Sequence, residues 1–341
     1  MTAGPEGLDL AALRPWFARE VPTVAGAIDA ELLHGGRSNL TYVLTDGISR
    51  WVLRRPPLGG LTPSAHDMGR EYRVVSALAG TGVPVAEAVA LCEDPSVIGA
   101  PFSVVAHVDG VTIRSREDLD RHDDQQAKAC AFALVDALAA LHAVPYAEVG
   151  LTGFGRPEGY LTRQVRRWRD QWNRVATQEL PDIDRLHAAL EAAVPTESAA
   201  CVVHGDLRVD NAILDPADLG RIQALVDWEM AALGDPLADL ALHLVYRDPA
   251  FEPVLGGSAA SVSDRFPSPD ALAERYARAS GRDLGRLDFH LALGYFKIAV
   301  IAEGIHARHL RRLTVGQGFE TVGDAVPALA AQGLRALRPG R

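Results

Sequence analysis

Apolar residues recur along this chain with two different periods, and the change from one to the other divides it. Leu10, Leu13, Phe17 and Val21 fall near helical spacing around Pro15, so residues 1–30 are expected to form a helical lead-in. Leu40-Thr-Tyr-Val-Leu44 and Trp51-Val-Leu-Arg54 then read as strands, and the Asp46-Gly47 pair between them suits a tight hairpin turn. Arg70 to Leu78 returns to a helical period and stops at Gly80 and Gly82. Strand-like pieces lead on to Pro101-Phe-Ser-Val-Val-Ala106, which ends at Asp109-Gly110.

Beyond that point helical patterns dominate. Gln125 to Val144 is a long amphipathic segment, followed by Tyr160 to Val175 and Ile183 to Ala193. An island of β pattern interrupts them: Cys201-Val-Val203, Ala212-Ile-Leu214, a turn at Asp215-Pro216, then Ile222 to Val226. Asp235-Pro236 offers a capping carboxylate and a first-turn proline, so a helix restarts there. Segments 269–280, 287–313 and 319–337 complete the chain. The pattern predicts an α+β protein with a small β-rich lobe, residues 1–106, and a larger, mainly helical lobe, residues 107–341. Ligand clefts favour such junctions.

Composition narrows the possibilities. A length of 341 residues fits about two lobes at roughly 150 residues each. With 48% hydrophobic and 23% charged residues the chain is an ordinary globular one. Its net charge of −10 argues against a nucleic-acid partner, because phosphate backbones recruit an excess of Lys and Arg. Cys92, Cys130 and Cys201 are odd in number and far apart, which excludes a disulfide framework and suits a reducing compartment. Met1 to Leu10 carries two acids and no base, unlike a signal peptide. The longest apolar segment, Ala129 to Val144, is broken by Asp136 and is shorter than the ~20 residues a membrane span needs. These observations predict a soluble, cytoplasmic protein with no membrane or nucleic-acid partner. Lys128 and Lys297 are the only lysines, so a cation acting in the first lobe must be arginine.

The stretch His204-Gly-Asp-Leu-Arg-Val-Asp-Asn211, followed by Val226-Asp-Trp-Glu229, carries the most chemistry. A hairpin turning at Asp215-Pro216 would bring Asn211 and Asp227 to one open end, near Asp206. An amide oxygen and carboxylates are hard ligands suited to Mg²⁺, which takes few protein carboxylates and completes its shell with water and substrate phosphates. Such a set serves phosphoryl transfer: Asp206 orients an acceptor hydroxyl and accepts its proton, while Asn211 and Asp227 hold metal. The four residues between Asp206 and Asn211 match the interval of a kinase catalytic loop, and Arg208 stands where a cation would face the transferred phosphate. Each of these residues taken singly could be a turn or cap residue, but three at these intervals exceed what turns require. His204 lacks the companion spacing of a zinc site and reads as a loop brace. A metal-dependent phosphoesterase would need a denser ligand set.

This block resembles the signature of aminoglycoside phosphotransferases and related small-molecule kinases, a branch of the protein-kinase-like fold. Gly234-Asp-Pro-Leu-Ala-Asp-Leu-Ala241 extends the resemblance. Leu33-His-Gly-Gly-Arg-Ser-Asn-Leu-Thr-Tyr42, Trp51-Val-Leu-Arg-Arg-Pro-Pro57 and Gln164-Val-Arg-Arg-Trp168 are similar to the subgroup that includes kinase-like domains fused to some acyl-CoA dehydrogenases. The resemblance implies a bilobal fold, ATP and Mg²⁺ as cofactors, and a small-molecule hydroxyl as acceptor. It implies that Gly35, Gly36, Ser38 and Asn39 belong to a phosphate-covering turn. It places Arg54 where the family has a strand lysine, with Glu71 as its counter-ion, and makes Val105 to Val108, including Ala106 and Val108, the connection that meets adenine. It also suggests that Asp239 braces the catalytic loop.

Two acceptors remain in view: a metabolite such as a hydroxy acid or hydroxyacyl-CoA, and an antibiotic. A nucleotide-binding pseudokinase is a third reading, motivated by arginine at position 54. Arg163, Arg166, Arg167 and Arg169 form a basic run on a predicted helix. It is either a solvated face or an anion-binding wall of the acceptor site.

Overall fold

The first hundred residues fold around a sheet whose two faces meet different partners. The computed structural model describes residues 5–33, 39–58, 67–196, 199–255, 260–314 and 318–338. Helix α1 (Leu10–Glu20) starts at Asp9, whose carboxylate accepts from the Ala12 amide. Strands β1 (Asp29–Leu32), β2 (Leu40–Thr45), β3 (Arg50–Arg55), β4 (Ala88–Cys92) and β5 (Phe102–Ala106) form an antiparallel sheet in the order β1-β2-β3-β5-β4. The predicted hairpin is present, with Tyr42 opposite Leu53 and Leu44 opposite Trp51. Asp46 accepts from the Ile48 and Ser49 amides, and Gly47 takes the left-handed φ of 88° that the turn needs. Alternation then separates the faces. Trp51 and Leu53 bury with Leu13, Trp16 and Phe17 of α1, while Val52 and Arg54 look the other way.

One expectation is corrected here. The lead-in is helical only to Glu20, and Asp29–Leu32 is a strand pairing with β2. Its four residues are too few for a periodic signal, and the pairing that makes them a strand is supplied by β2.

Helix α2 (Met68–Leu78), capped by Asp67, packs on β4 and β5 and buries Glu71, Val74, Val75 and Leu78. After β5 come α3 (Arg116–Leu119), α4 (Asp124–Ala143), α5 (Tyr160–Val175) and α6 (Pro181–Ala193). The β island follows as β6 (Cys201–Val203), β7 (Ala212–Asp215), β8 (Asp218–Leu225) and β9 (Ala232–Gly234). Strand β6 pairs with β9, which sequence patterning missed, and β7 pairs with β8. Helices α7 (Pro236–Val245), α8 (Glu252–Leu255), α9 (Pro269–Ser280), α10 (Leu287–Leu310) and α11 (Ala325–Ala336) end the fold. One apolar core gathers around α4, and a second gathers where α10 meets α5, α6, α7 and α11. This is the small-sheet, large-helical α+β architecture that the sequence predicts.

The two parts are tied together at defined points. Val85 bridges to Leu225, whose amide donates to the Pro84 carbonyl at 2.8 Å. Arg70 of α2 donates to the Ala231 carbonyl at 3.0 Å and stacks 3.9 Å over the Phe154 ring. These contacts tie the end of β8 and the residues that follow it to α2 and to the segment before β4.

Candidate active site

A cleft of about 730 Å³ opens between the sheet and the helical part, and the loop from His204 to Asn211 forms much of its floor. Burial and hydrogen bonds fix that loop. Gly205 has φ +81°, and a Cβ there would stand 2.7 Å from the Met230 carbonyl, so only glycine fits. In the first turn of α7, Asp239 accepts from the His204 amide at 2.7 Å, the Gly205 amide at 2.8 Å and His142 at 3.2 Å. Burial alone would raise its pKa, but His142 and the amides outweigh that and hold Asp239 below the ordinary carboxylate value. His142 in turn meets the Tyr276 hydroxyl at 2.7 Å. The His204 ring contacts the Val226 carbonyl at 3.0 Å and packs on Trp228, an arrangement that braces the loop.

The hairpin delivers the oxygen-bearing side chains. Ala212 pairs with Leu225, and the Val226 amide donates to the Asn211 carbonyl at 2.9 Å, so Asn211 and Asp227 sit together at its open end. Asn211 Nδ2 donates to the Asp206 carbonyl at 2.8 Å and to its carboxylate at 3.3 Å. Tyr246 donates its hydroxyl to the other carboxylate oxygen of Asp206. Asp227 adopts left-handed backbone angles, φ 66° and ψ 59°, which aspartate tolerates better than most residues.

Arg54 spans two acids. One guanidinium nitrogen lies 2.6 Å from Glu71 and the other 2.8 Å from Asp227. Glu71 is only 4% exposed, and burial pushes its carboxyl up to about 7 against the pull of Arg54. Burial works against the Arg54 charge as well, but Glu71 and Asp227 outweigh it and raise its pKa. Arg208 contacts Asp210 at 3.1 Å and Asp206 at 3.7 Å, and it stands 5.6 Å from the Tyr246 ring centre.

Arg54, Glu71, Ala106, Val108, Asp206, Arg208, Asn211 and Asp227 all line this one cleft. The Ala106 amide donates to Glu87 and the His107 amide to Arg50, so Val108 is the first residue of that connection whose N–H makes no backbone hydrogen bond among the described residues. Asn39 stands apart: it is buried, its amide donates to Glu229 at 3.2 Å, and it is not among the cleft-lining residues. Gly35, Gly36 and Ser38 lie outside the described residues. The arginine run is not one wall. Arg163 caps the Arg156 and Glu158 carbonyls, Arg166 faces Asp170, Arg169 pairs with Asp184, and Arg167 alone turns to Trp168. Sequence reading missed His142, Tyr246 and Lys297. The signal for Tyr246 was present, because it follows Asp239 by seven residues, two helical turns on the same side of α7.

The donor set suits a magnesium–triphosphate group. Among the described residues no three His, Cys, Asp or Glu side chains are grouped to hold a metal ion. Asn211 and Asp227 carry an amide oxygen and carboxylate oxygens, the hard donors that suit Mg²⁺ when phosphates supply the rest of its shell. Arg54 Nε is buried without a hydrogen-bond partner among the described residues, a donor left for an anionic ligand.

Comparison with known proteins adds relatives. A family model described as the phosphotransferase enzyme family matches residues 29–290. Acyl-CoA dehydrogenase family member 11 of Gallus gallus is 36% identical over 318 residues, covering 91% of this chain and 40% of that protein. The Homo sapiens protein of the same name is 35% identical, covering 88% and 39%. The chain therefore spans about two fifths of the length of these relatives. A Ralstonia eutropha crystal structure, provisionally described as an aminoglycoside phosphotransferase, is 32% identical with a TM-score of 0.83, covering 97% of this chain and 98% of that one. Aminoglycoside phosphotransferase APH(4)-Ia, in complex with AMP-PNP and hygromycin B, shares the fold at 16% identity and a TM-score of 0.64, covering 96% of this chain and 99% of that one.

Proposed function

The chain belongs to the phosphotransferase enzyme family, and from that premise we propose that it transfers the γ-phosphoryl group of ATP to a hydroxyl of a small molecule. The observation that carries this reading is the meeting of Asp206, Asn211 and Asp227 with the Arg54–Glu71 pair in a single cleft. Residues 1–106 would cover the nucleotide, and residues 107–341 would hold the catalytic loop and the acceptor. AMP-PNP in a protein of the same fold agrees with ATP as donor.

Under this reading Asp206 orients the acceptor hydroxyl and takes its proton, with its own carboxylate set by Tyr246 and Asn211. Arg208 faces the transferred phosphoryl group. Arg54 holds the α- and β-phosphates and is itself aimed by Glu71; the two ends of its planar fork each meet one acid, Glu71 and Asp227. Val108 N–H and the Ala106 carbonyl would meet adenine. Gly35, Gly36, Ser38 and Asn39 would close over the phosphates, Asn39 through its tie to Glu229. Asn211 and Asp227 would hold Mg²⁺, which when bound supplies neutralising charge to the phosphate oxygens. Positioning and electrostatics provide most of such catalysis.

For the acceptor, a metabolite such as a hydroxy acid or hydroxyacyl-CoA is favoured by relatives in the acyl-CoA dehydrogenase families. An aminoglycoside is the second reading, favoured by the description of the Ralstonia eutropha structure. The three cysteines are free and buried, which supports a cytoplasmic site of action, and no helix among the described residues is long and apolar enough to cross a membrane.

An ADP-release screen over hydroxy acids, hydroxyacyl-CoAs and aminoglycosides tests the proposal. Asp206→Asn is expected to keep nucleotide affinity and lose about 10²–10⁴-fold in turnover, the usual share of general-base catalysis. Unchanged turnover in that variant would remove Asp206 from the mechanism. ATP binding without ADP release from any acceptor would instead favour a nucleotide-sensing module.

A further inference from the structure

Leu291 to Ala302, the apolar middle of α10, contains one charged residue, Lys297. The only other lysine of the chain, Lys128, is exposed. A charge set inside an apolar run is costly unless something specific receives it. Gly294, one turn earlier, lies on the same face of α10, and a Cβ there would stand 3.1 Å from Val245. Glycine at that point lets α10 lie close on α7. Lys297 Nζ then donates to the Gly205 carbonyl at 3.1 Å and stands 5.8 Å from the centre of the Trp168 ring of α5.

Both backbone polar groups of Gly205 are thereby held by charged side chains. Its N–H donates to Asp239 of α7 at 2.8 Å, and its carbonyl accepts from Lys297. Hydrogen bonds with one ionised partner are about twice as strong as neutral ones. The second bond bears on Asp206, because the Gly205 carbonyl lies in the rigid peptide plane that contains the Asp206 nitrogen. Among the described residues no other hydrogen bond is made to that plane. Asn211 and Tyr246 hold the far end of Asp206, its carboxylate. Burial holds Lys297 below the ordinary lysine value, while Asp206 and Asp239 pull the other way and Arg167 adds to the depression. A cavity of about 40 Å³ beside the ammonium, lined also by Gln164 and Asp239, exceeds the roughly 10–15 Å³ that one water occupies, so solvent can take its other donors.

We propose that Lys297 is a positioning residue: by holding the Gly205 carbonyl it sets the peptide from which Asp206 is presented to the acceptor hydroxyl. Its part in the reaction rests on the phosphotransferase reading above, but the restraint itself does not require turnover. With Asp239 on the N–H side and Lys297 on the carbonyl side, α7 and α10 together fix the residue that precedes Asp206.

The test compares the full chain with Lys297→Met, which keeps an apolar stem and loses the ammonium, and with Lys297→Arg, which keeps a charged donor. Amide hydrogen exchange followed by mass spectrometry reads the loop directly. Exchange across residues 204–211 is expected to rise about tenfold in Lys297→Met, with α4 unchanged, and to return most of the way in Lys297→Arg. ADP release reads the consequence for Asp206. In Lys297→Met kcat is expected to fall about tenfold with the KM for ATP unchanged, and Lys297→Arg restores most of it. A lysine that only supported the fold would loosen the loop and α4 together and produce no split between kcat and KM. Unchanged exchange in the loop, equal acceleration in the loop and α4, or faster exchange with unchanged kcat each overturns the proposal. Lys297→Gln, which keeps a neutral donor, is read in the same way and covers the case in which Lys297→Met does not fold. A parent protein that releases no ADP with any acceptor removes the phosphotransferase reading, and exchange still decides whether Lys297 holds the loop.

Discussion

Arg54 shows how much one side chain can coordinate. Its guanidinium contacts Glu71 of α2 and Asp227 at the end of the hairpin, joining the two halves of the cleft through one planar group. A lysine offers a compact ammonium on a flexible stem, without the planar fork whose two ends are set against those two acids. Arg54→Lys is therefore expected to raise the KM for ATP by about tenfold, a loss of ~1.4 kcal/mol, with a smaller effect on kcat. Initial-rate kinetics over a range of ATP concentrations check this; an unchanged KM would show that the second contact is idle. The Arg54–Glu71 pair was expected from the family resemblance, and strand alternation, which turns Arg54 to one face, together with the absence of a lysine before Lys128 supported it. The Arg54–Asp227 contact was not legible, since 173 residues separate the two and only the docking of hairpin against sheet brings them together.

At the scale of elements, α7 organises the loop from His204 to Asn211. Asp235 caps it, Asp239 in its first turn holds the His204 and Gly205 amides, and Tyr246 at its end holds the Asp206 carboxylate. Asp239→Ala would leave those amides and His142 buried without their acceptor. The expected loss is ~3–5 kcal/mol of stability, as for the breaking of other buried charged networks, measurable by urea denaturation. The direction of the Asp239 shift also sets a pH dependence. Its folded pKa lies below the ordinary 3.8, so its contribution is fully present above that value and is lost as pH falls toward the folded pKa. The native protein should lose stability below about pH 3.8, and the loss attributable to this group should be absent in Asp239→Asn, provided that variant folds. Local capping signals revealed the helix and its start. The partner of Asp239 on α4, His142, carried no signal, because a histidine inside an apolar helix looks like any buried residue until its neighbour is known.

At the scale of the molecule, contacts that join the first part to the helical part include Val85 with Leu225, Arg70 with the Ala231 carbonyl and Asn39 with Glu229, beside the Arg54–Asp227 pair. Arg70 also stacks on Phe154, so Arg70→Ala removes a hydrogen bond and a packing contact from the joint without touching the cleft lining. The variant should bind ATP more weakly and show a smaller rise in Tm on adding Mg·ATP than the parent protein, by linkage. An equal rise would mean that the lobes align without this contact. The sequence alone determined the two-part architecture, the β2–β3 hairpin, the helix starts and the spacing of Asp206, Asn211 and Asp227. These follow from periodicity, turn chemistry and short intervals, which are local in the chain. Tertiary structure decided the β1 and β9 pairings, the anchoring of Asp206 by Tyr246, and the bridging by Arg54. Each of these joins residues far apart in the chain. Their proximity results from how the apolar faces of whole elements pack, and residue order does not encode that packing in any local pattern.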